Sequence, residues 1–300
     1  MDHTMLVGTL PGGRALEALV TGPEDGTLLV FHHGSPGAAV PFPTLERAAA
    51  ERGVRLAQYS RPGSGRSTRQ SGRTVADCAA DVAAIADHLG AERFLTAGAS
   101  GGGPHALACA ALLPERVFAA ATIAGVAPYD AEGLDWTAAM GEDNQIEYRT
   151  AARDPQELLR WMEPQVEVMA HVAPDEIVDA MRSLISEVDE ASLSGELGEV
   201  IAASFHEAFR DGPWGWYDDD LAFVAPWGFD LSEIRVPVSV WQGPHDLMVP
   251  FAHGQWLAAH VAGARANLRP EHGHLSLLVG SIGEILDDLL EAGGVRPALD

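Results

Sequence analysis

The feature that most constrains the fold is an alternation, at both ends of the 300-residue chain, of short β-branched or apolar runs with amphipathic stretches. Residues 27–33 and 54–60 read as strands with a helix at 45–52 between them, and residues 75–89 read as a surface helix. In that helix Val75, Cys78, Ala79, Val82, Ile85, Ala86 and Leu89 recur at three-to-four spacing, while Asp77, Asp81 and Asp87 fall elsewhere. Strands at 94–97 and 117–123 flank a helix at 102–113. The pattern resumes later with a strand at 236–241, a helix at 252–261, a short strand at 266–268 and a last helix at 275–291. Such alternation predicts the α/β class, a mostly parallel sheet with helices on both faces.

The interruption has its own composition. Residues 129–233 hold 25 acidic residues and 5 Arg, so this segment carries −20 of the chain's net charge of −24, together with five of the seven Trp. An inserted module is expected at 129–234, between the two parts of a core at 1–128 and 235–300. Within it, 155–169, 175–186 and 195–209 read as helices separated by Pro, Gly and acidic joints.

All 19 basic residues are Arg. The absence of Lys excludes a P-loop lysine, a Schiff-base lysine and a Ser–Lys dyad. With no basic cluster, nucleic acid and anionic membrane surfaces are not expected as partners, because both require cationic patches. Residues 1–10 carry no basic, apolar leader pattern and no run nears the roughly 18 apolar residues of a membrane span, so a soluble, cytoplasmic protein is expected. Cys78 and Cys109 lie in Ala-rich helical stretches and read as small buried thiols.

The chemistry centres on Gly98-Ala99-Ser100-Gly101-Gly102, directly after a predicted strand and before a predicted helix. A serine on so tight a turn needs neighbours without bulky side chains, which Gly98, Gly101, Gly102 and Gly103 provide. Other segments fall into place around it. His33-Gly34-Ser35-Pro36-Gly37 follows the first predicted strand; 59–67 is a Gly/Pro/Ser loop; Gly243-Pro244-His245-Asp246 and Gly273-His274-Leu275-Ser276 follow later strands. With these segments the sequence resembles the α/β-hydrolase superfamily, in its serine-nucleophile branch with a helical cap. The resemblance covers the whole chain except the insertion. It implies an oxyanion loop at His33–Gly37, an acid loop at Asp246, a histidine loop at His274, and a cap formed by 129–234.

The triad logic stands beside the resemblance. A serine hydroxyl is a weak nucleophile until a neutral imidazole takes its proton, and a carboxylate must hold that imidazole in the right tautomer. Ser100, Asp246 and His274 occur in the chain order serine, acid, histidine. Asp130 is a rival acid and His272 a rival base; the motifs around Asp246 and His274 favour the latter pair. A zinc site at His272 and His274 lacks an evident third ligand, and no cofactor is expected. The N–H groups of Ser35 and Gly101 are candidates for the oxyanion hole, since Pro36 has none to offer. His32 and His33 are expected to brace the oxyanion loop, with His33 at the substrate, and His105 to be a core or pocket-wall residue. Trp136, Trp161, Trp214 and Trp216 are candidates for lining an apolar substrate slot, the alternative being ordinary core. The acid excess of the insertion reads as a solvated helix face or as a lure for a cationic substrate group.

The reading is therefore a serine hydrolase that takes a small-molecule carboxylic ester, with water as second substrate. A prolyl-aminopeptidase-like, amide or thioester hydrolase is the nearest rival, although Gly101 stands where the elbow of those peptidases usually carries Trp. A ligand-binding protein or a C–C bond hydrolase or lyase on the same fold are the further alternatives. Oligomeric state is not legible.

Overall fold

A computed structural model describes residues 3–10, 12–193 and 195–295. Eight strands form one sheet: β1 (Thr4–Thr9), β2 (Ala15–Thr21), β3 (Thr27–His32), β4 (Val54–Tyr59), β5 (Phe94–Ala99), β6 (Val117–Ile123), β7 (Val238–Gln242) and β8 (Arg265–Leu268). Their spatial order is β1-β2-β4-β3-β5-β6-β7-β8. The first two strands pair antiparallel with each other and β2 with β4, and every later pairing is parallel. The predicted parallel sheet is thus present, preceded by an antiparallel hairpin that the sequence pattern did not announce.

Side chains alternate across the sheet with the period of two that strands impose. On one face Leu28 and Val30 pack with Val82 of α2 (Cys78–His88), Leu107 of α3 (Gly102–Leu112) and Leu257 of α10 (Phe251–His260). On the other, Leu29 and Phe31 pack with Leu45 of α1 (Pro43–Ala50) and with Leu277 and Ile285 of α11 (Leu275–Ala292). Helix α3 is buried from Gly102 through Ala111, and its Ala and Leu residues suit a helix that must fit closely between neighbours.

Between β6 and β7 lie α4 (Glu142–Arg153), α5 (Pro155–Met169), α6 (Ile177–Ala180), α7 (Glu187–Glu190), α8 (Glu196–Ala208) and α9 (Trp214–Val224). The helix expected at 175–186 is instead a 3-10 turn at Pro174–Glu176 followed by the four residues of α6. Helices α4 and α9 were not anticipated. Among the described residues, no helix is long and apolar enough to cross a membrane.

The topology places the site. Strand β3 has β4 on one side and β5 on the other, so the sheet grows in opposite directions from β3. Loops leaving the carboxyl ends of strands diverge at such a switch point and leave a crevice there. The loops after β3 and β5 carry the His33–Gly37 segment and Ser100.

Candidate active site

Ser100 leaves β5 with φ of 55°, one of three non-glycine residues with positive φ among those described. Its N–H donates to Ile123 O at 2.8 Å, and its own carbonyl accepts from Gly103 N at 2.9 Å. Close approach dictates the glycines around it. A Cβ on Gly98 would sit 2.0 Å from Gly102 O, and one on Gly102 would sit 2.2 Å from His32 O. Any larger residue at either place would push strand and helix apart, and with them the serine. Ser100 remains partly exposed, facing a cavity of about 170 Å³.

The same cavity is lined by His274, whose Nδ1 lies 2.8 Å from Asp246 Oδ2. Asp246 is buried and held by other donors: Gln242 Nε2 donates to Oδ2, and the N–H groups of Met248 and Val249 donate to Oδ1 at 2.9 and 2.7 Å. A carboxylate fixed in this way sets the imidazole ring with Nδ1 as the proton carrier and leaves Nε2 for the cavity. Burial alone would strip the proton from His274, but the charge and hydrogen bond of Asp246, with a smaller contribution from Asp189, outweigh it and raise the pKa above the ordinary value. No hydrogen bond joins Ser100 to His274 in this arrangement, and contacts of this kind commonly tighten only when substrate is bound.

The rivals stand elsewhere. Asp130 is exposed and borders a surface groove beside Trp227 and Trp256. His272 lies against Gly280, with Glu271 at 3.9 Å as its nearest acid.

The loop after β3 abuts the nucleophile: a Cβ on Gly34 would be 3.5 Å from Ser100 Cβ, and one on Gly101 3.0 Å from Ser35 Cβ. Its carbonyls turn toward Arg61, whose guanidinium donates to His33 O at 2.6 Å and to Gly34 O at 2.8 Å. Neither the Ser35 nor the Gly101 N–H is bonded to a described residue, so both are free to meet an anion. His33 braces the loop through Nδ1 to Gly34 O and Nε2 to the Arg61 N–H, and it lines the cavity. His32 is fixed between Tyr59 Oη and Thr96 Oγ1. Burial, followed by neighbouring cationic or imidazole groups, depresses the pKa of both. His105 is a buried core residue stacked on His32, its pKa lowered to about 3 chiefly by burial.

The four tryptophans proposed for a substrate slot do not line the cavity. Trp136 is buried against Tyr129, Tyr148 and His253, with Nε1 donating to Ala127 O. Trp161 and Trp216 pack edge to face, and Trp214 lies beneath the Arg69 guanidinium. Trp161 and Trp216 pack α5 against α9, Trp136 fills the space between α4 and α10, and Trp214 rests under a loop arginine, so their apolar area is covered by the protein itself rather than offered to the cavity. The inserted segment's share of the cavity wall comes instead from Met181 and from Leu197, Val200, Ile201, Ser204 and Phe205 of α8. Those five α8 positions follow the spacing i, i+3, i+4, i+7, i+8, a signal present in the sequence but indistinguishable there from ordinary core.

Nor do the acids of the insertion simply form a solvated face. Asp219 is buried and accepts from Ser35 Oγ at 2.7 Å and Arg61 Nη2 at 2.7 Å, with Arg73 Nη2 at 2.7 Å. Burial would raise its pKa, but the two guanidinium groups hold it far below the carboxylate range. Asp189 of α7, 0% exposed, accepts from the N–H groups of His274, Leu275 and Ser276 and from Ser276 Oγ, all at 2.9 Å. It caps α11 immediately after His274, where the helix dipole favours negative charge. The insertion therefore touches the oxyanion-loop candidate through one buried aspartate and the histidine loop through another. Neither residue was singled out from the sequence, because a pairing across the fold leaves no local pattern.

Comparison with known proteins agrees with this architecture. The family model described as alpha/beta hydrolase fold matches residues 27–281. The uncharacterized hydrolase YcgS of Bacillus subtilis (strain 168) is 27% identical over 285 residues, covering 93% of this chain and 96% of its own. The non-heme chloroperoxidase of Streptomyces lividans is 28% identical over 280 residues, covering 90% and 92%. Among solved structures, the enol-lactonase from Burkholderia xenovorans LB400 shares the fold with a TM-score of 0.69 at 19% identity, over 95% of this chain and all of that one (100%). The strand order, the serine on its turn and the family match over most of the chain lead to one conclusion: this protein belongs to the alpha/beta hydrolase fold family.

Proposed function

We propose that the protein is a serine hydrolase that cleaves a carboxylic ester through an acyl-enzyme on Ser100. The observation that carries this reading is the buried Asp246–His274 pair at 2.8 Å, opening onto the same cavity as a serine held at φ 55°. In the proposed reaction Ser100 Oγ attacks the ester carbonyl while His274 Nε2 takes its proton. The N–H groups of Ser35 and Gly101 receive the oxyanion, and the proton passes to the departing alcohol. Water then repeats the sequence on the acyl-enzyme and regenerates Ser100. Asp246 keeps the proton on Nδ1 and offsets the charge of the imidazolium.

The cavity speaks for an uncharged acyl group. No Asp, Glu or Arg side chain lines it among the described residues, and Phe31, Val40, Phe42, Ile123, Leu197 and Leu278 form much of its wall. An aminopeptidase has to bind a protonated amine, and a carboxylate facing the substrate is the natural partner for one; this cavity has none. The lactonase activity named for one structural neighbour is in keeping with ester chemistry. On this reading residues 129–234 act as a cap over a core of 1–128 and 235–300, with a small molecule as substrate and water as co-substrate.

A fluorophosphonate probe with an active-site readout tests the assignment. Labelling of the wild type that vanishes in Ser100→Ala is expected, together with turnover of p-nitrophenyl esters above p-nitroanilides of the same acyl group. Folded wild-type protein that resists the probe would remove the serine mechanism.

A further inference from the structure

Six polar side chains line the cavity: His33, Ser35, Gln58, Ser100, Ser204 and His274. Ser100 and His274 are the proposed reacting groups. His33 is engaged at both ring nitrogens and Ser35 Oγ donates to Asp219. Ser204 Oγ accepts from Ala38 N and donates to Ala38 O. Gln58 is different. It is only 7% exposed, its Nε2 is buried without a partner, and its Oε1 makes no hydrogen bond to any described residue. An unmet primary amide in an apolar setting costs roughly 1–3 kcal/mol, and an apolar residue of similar shape would avoid that cost. A ligand that offers this amide an oxygen would remove that cost.

The surroundings say where that partner would sit. Gln58 is on β4, in register with Phe31 of β3, which is in turn in register with Ala97 of β5, three residues before Ser100. Two strand spacings put it about 10 Å across the sheet from β5, and three residues along the strand about 10 Å below Ser100. Both side chains reach into the same cavity, and Phe31, Val40 and Phe42 line it as well. The unmet amide therefore faces a point several bonds beyond the reacting carbonyl, on the part of the substrate that fills the cavity.

We infer that Gln58 is a specificity-determining residue whose amide hydrogen-bonds a second oxygen on the acyl group, so that the preferred substrate is an oxo- or hydroxyacyl ester rather than a plain alkanoyl one. The inference rests on the ester-hydrolase reading for the position of the reacting carbonyl. A single neutral hydrogen bond made in place of an unmet amide corresponds to a preference of about tenfold.

The test uses the full chain carrying Ser100→Ala, which holds intact esters, and a matched pair of probes, p-nitrophenyl hexanoate and p-nitrophenyl 5-oxohexanoate, with binding measured by calorimetry. The oxo ester is expected to bind about tenfold more tightly, and the preference is expected to vanish when Gln58→Leu is added. Equal binding of the two probes, or a preference that survives Gln58→Leu, overturns the inference. So does a melting temperature that falls in both Gln58→Leu and Gln58→Met, because the amide would then have a structural partner. Turnover by the wild type is followed separately. If neither ester is hydrolysed while the binding preference holds, the ester-hydrolase reading fails and the role of Gln58 in recognition stands.

Discussion

His274 is where opposing influences on one side chain decide what the site can do. Burial disfavours its cation, yet Asp246 and, more weakly, Asp189 tip the balance the other way and raise its pKa. In the proposed mechanism the ring must be neutral to accept the Ser100 proton. The rate constant kcat/KM should therefore rise with pH through that raised pKa, placing the acid limb above the ordinary histidine value of about 6.5. Asp246→Asn removes the charge and should move the limb to lower pH, while kcat falls by about 10⁴ as the wrong tautomer is held. Paired pH–rate profiles check both, and a limb that does not move would separate Asp246 from the proton transfer. This part of the site was legible because backbone geometry enforces it: a serine between glycines that cannot be enlarged, and an acid and a histidine in loops of defined shape. Trp136, Trp161, Trp214 and Trp216 were not, because an indole at helical spacing reads the same whether it faces a ligand or a neighbouring helix.

Among the elements, the short helix α7 and the longer α9 each anchor one loop of the site. Asp189 ties α7 to the first turn of α11, and Asp219 ties α9 to the loop after β3. Truncating Asp189 strands three N–H groups and frees the backbone that presents His274. Asp189→Ala should lower kcat on the order of ten- to a hundredfold, with a smaller change in KM and an acid limb shifted to lower pH. Asp189→Asn keeps one accepting oxygen and should recover part of the loss. Steady-state kinetics across pH settles this, and wild-type kcat with an unmoved limb in Asp189→Ala would leave α7 without a role in positioning. Asp219→Ala acts first on stability, since it leaves Arg61 and Arg73 buried beside each other without their counter-ion. A loss of about 3–5 kcal/mol is expected in denaturant unfolding. The sequence pattern disclosed the strands and helices that alternate around the parallel sheet. It missed β1 and β2, which make the hairpin at the sheet's edge, and α4, a strongly polar helix. It also missed α9, in which Asp218, Asp219 and Asp220 are buried and the apolar period of a surface helix is absent.

At the scale of the whole molecule, the −24 net charge is less a surface property than the composition implies, because part of it is folded inward. Asp218 pairs with Arg69 and Asp81 with Arg14, whereas Asp220 and Glu147 are buried beside each other with no cation between them. Around this pair stand Trp216, whose Nε1 donates to Glu147 Oε1 at 2.7 Å, the acids Asp143 and Asp219, and Arg73. Burial is the main cause that pushes Glu147 up to about 7, and burial together with Glu147 raises Asp220 as well. In the unfolded chain Glu147 returns to its ordinary value of 4.5. Between those two values the folded protein holds a proton that the unfolded chain has already lost, so stability must fall as pH rises through that window. Glu147→Gln keeps an oxygen for the Trp216 N–H while removing the charge. The variant should melt a few degrees above the wild type at pH 8, with the gap closing toward pH 5, where Glu147 is protonated in the folded protein. Thermal unfolding at the two pH values measures this directly, and a gap that is equal at both, or reversed, would mean that the buried carboxyls draw on a compensating cation or solvent path.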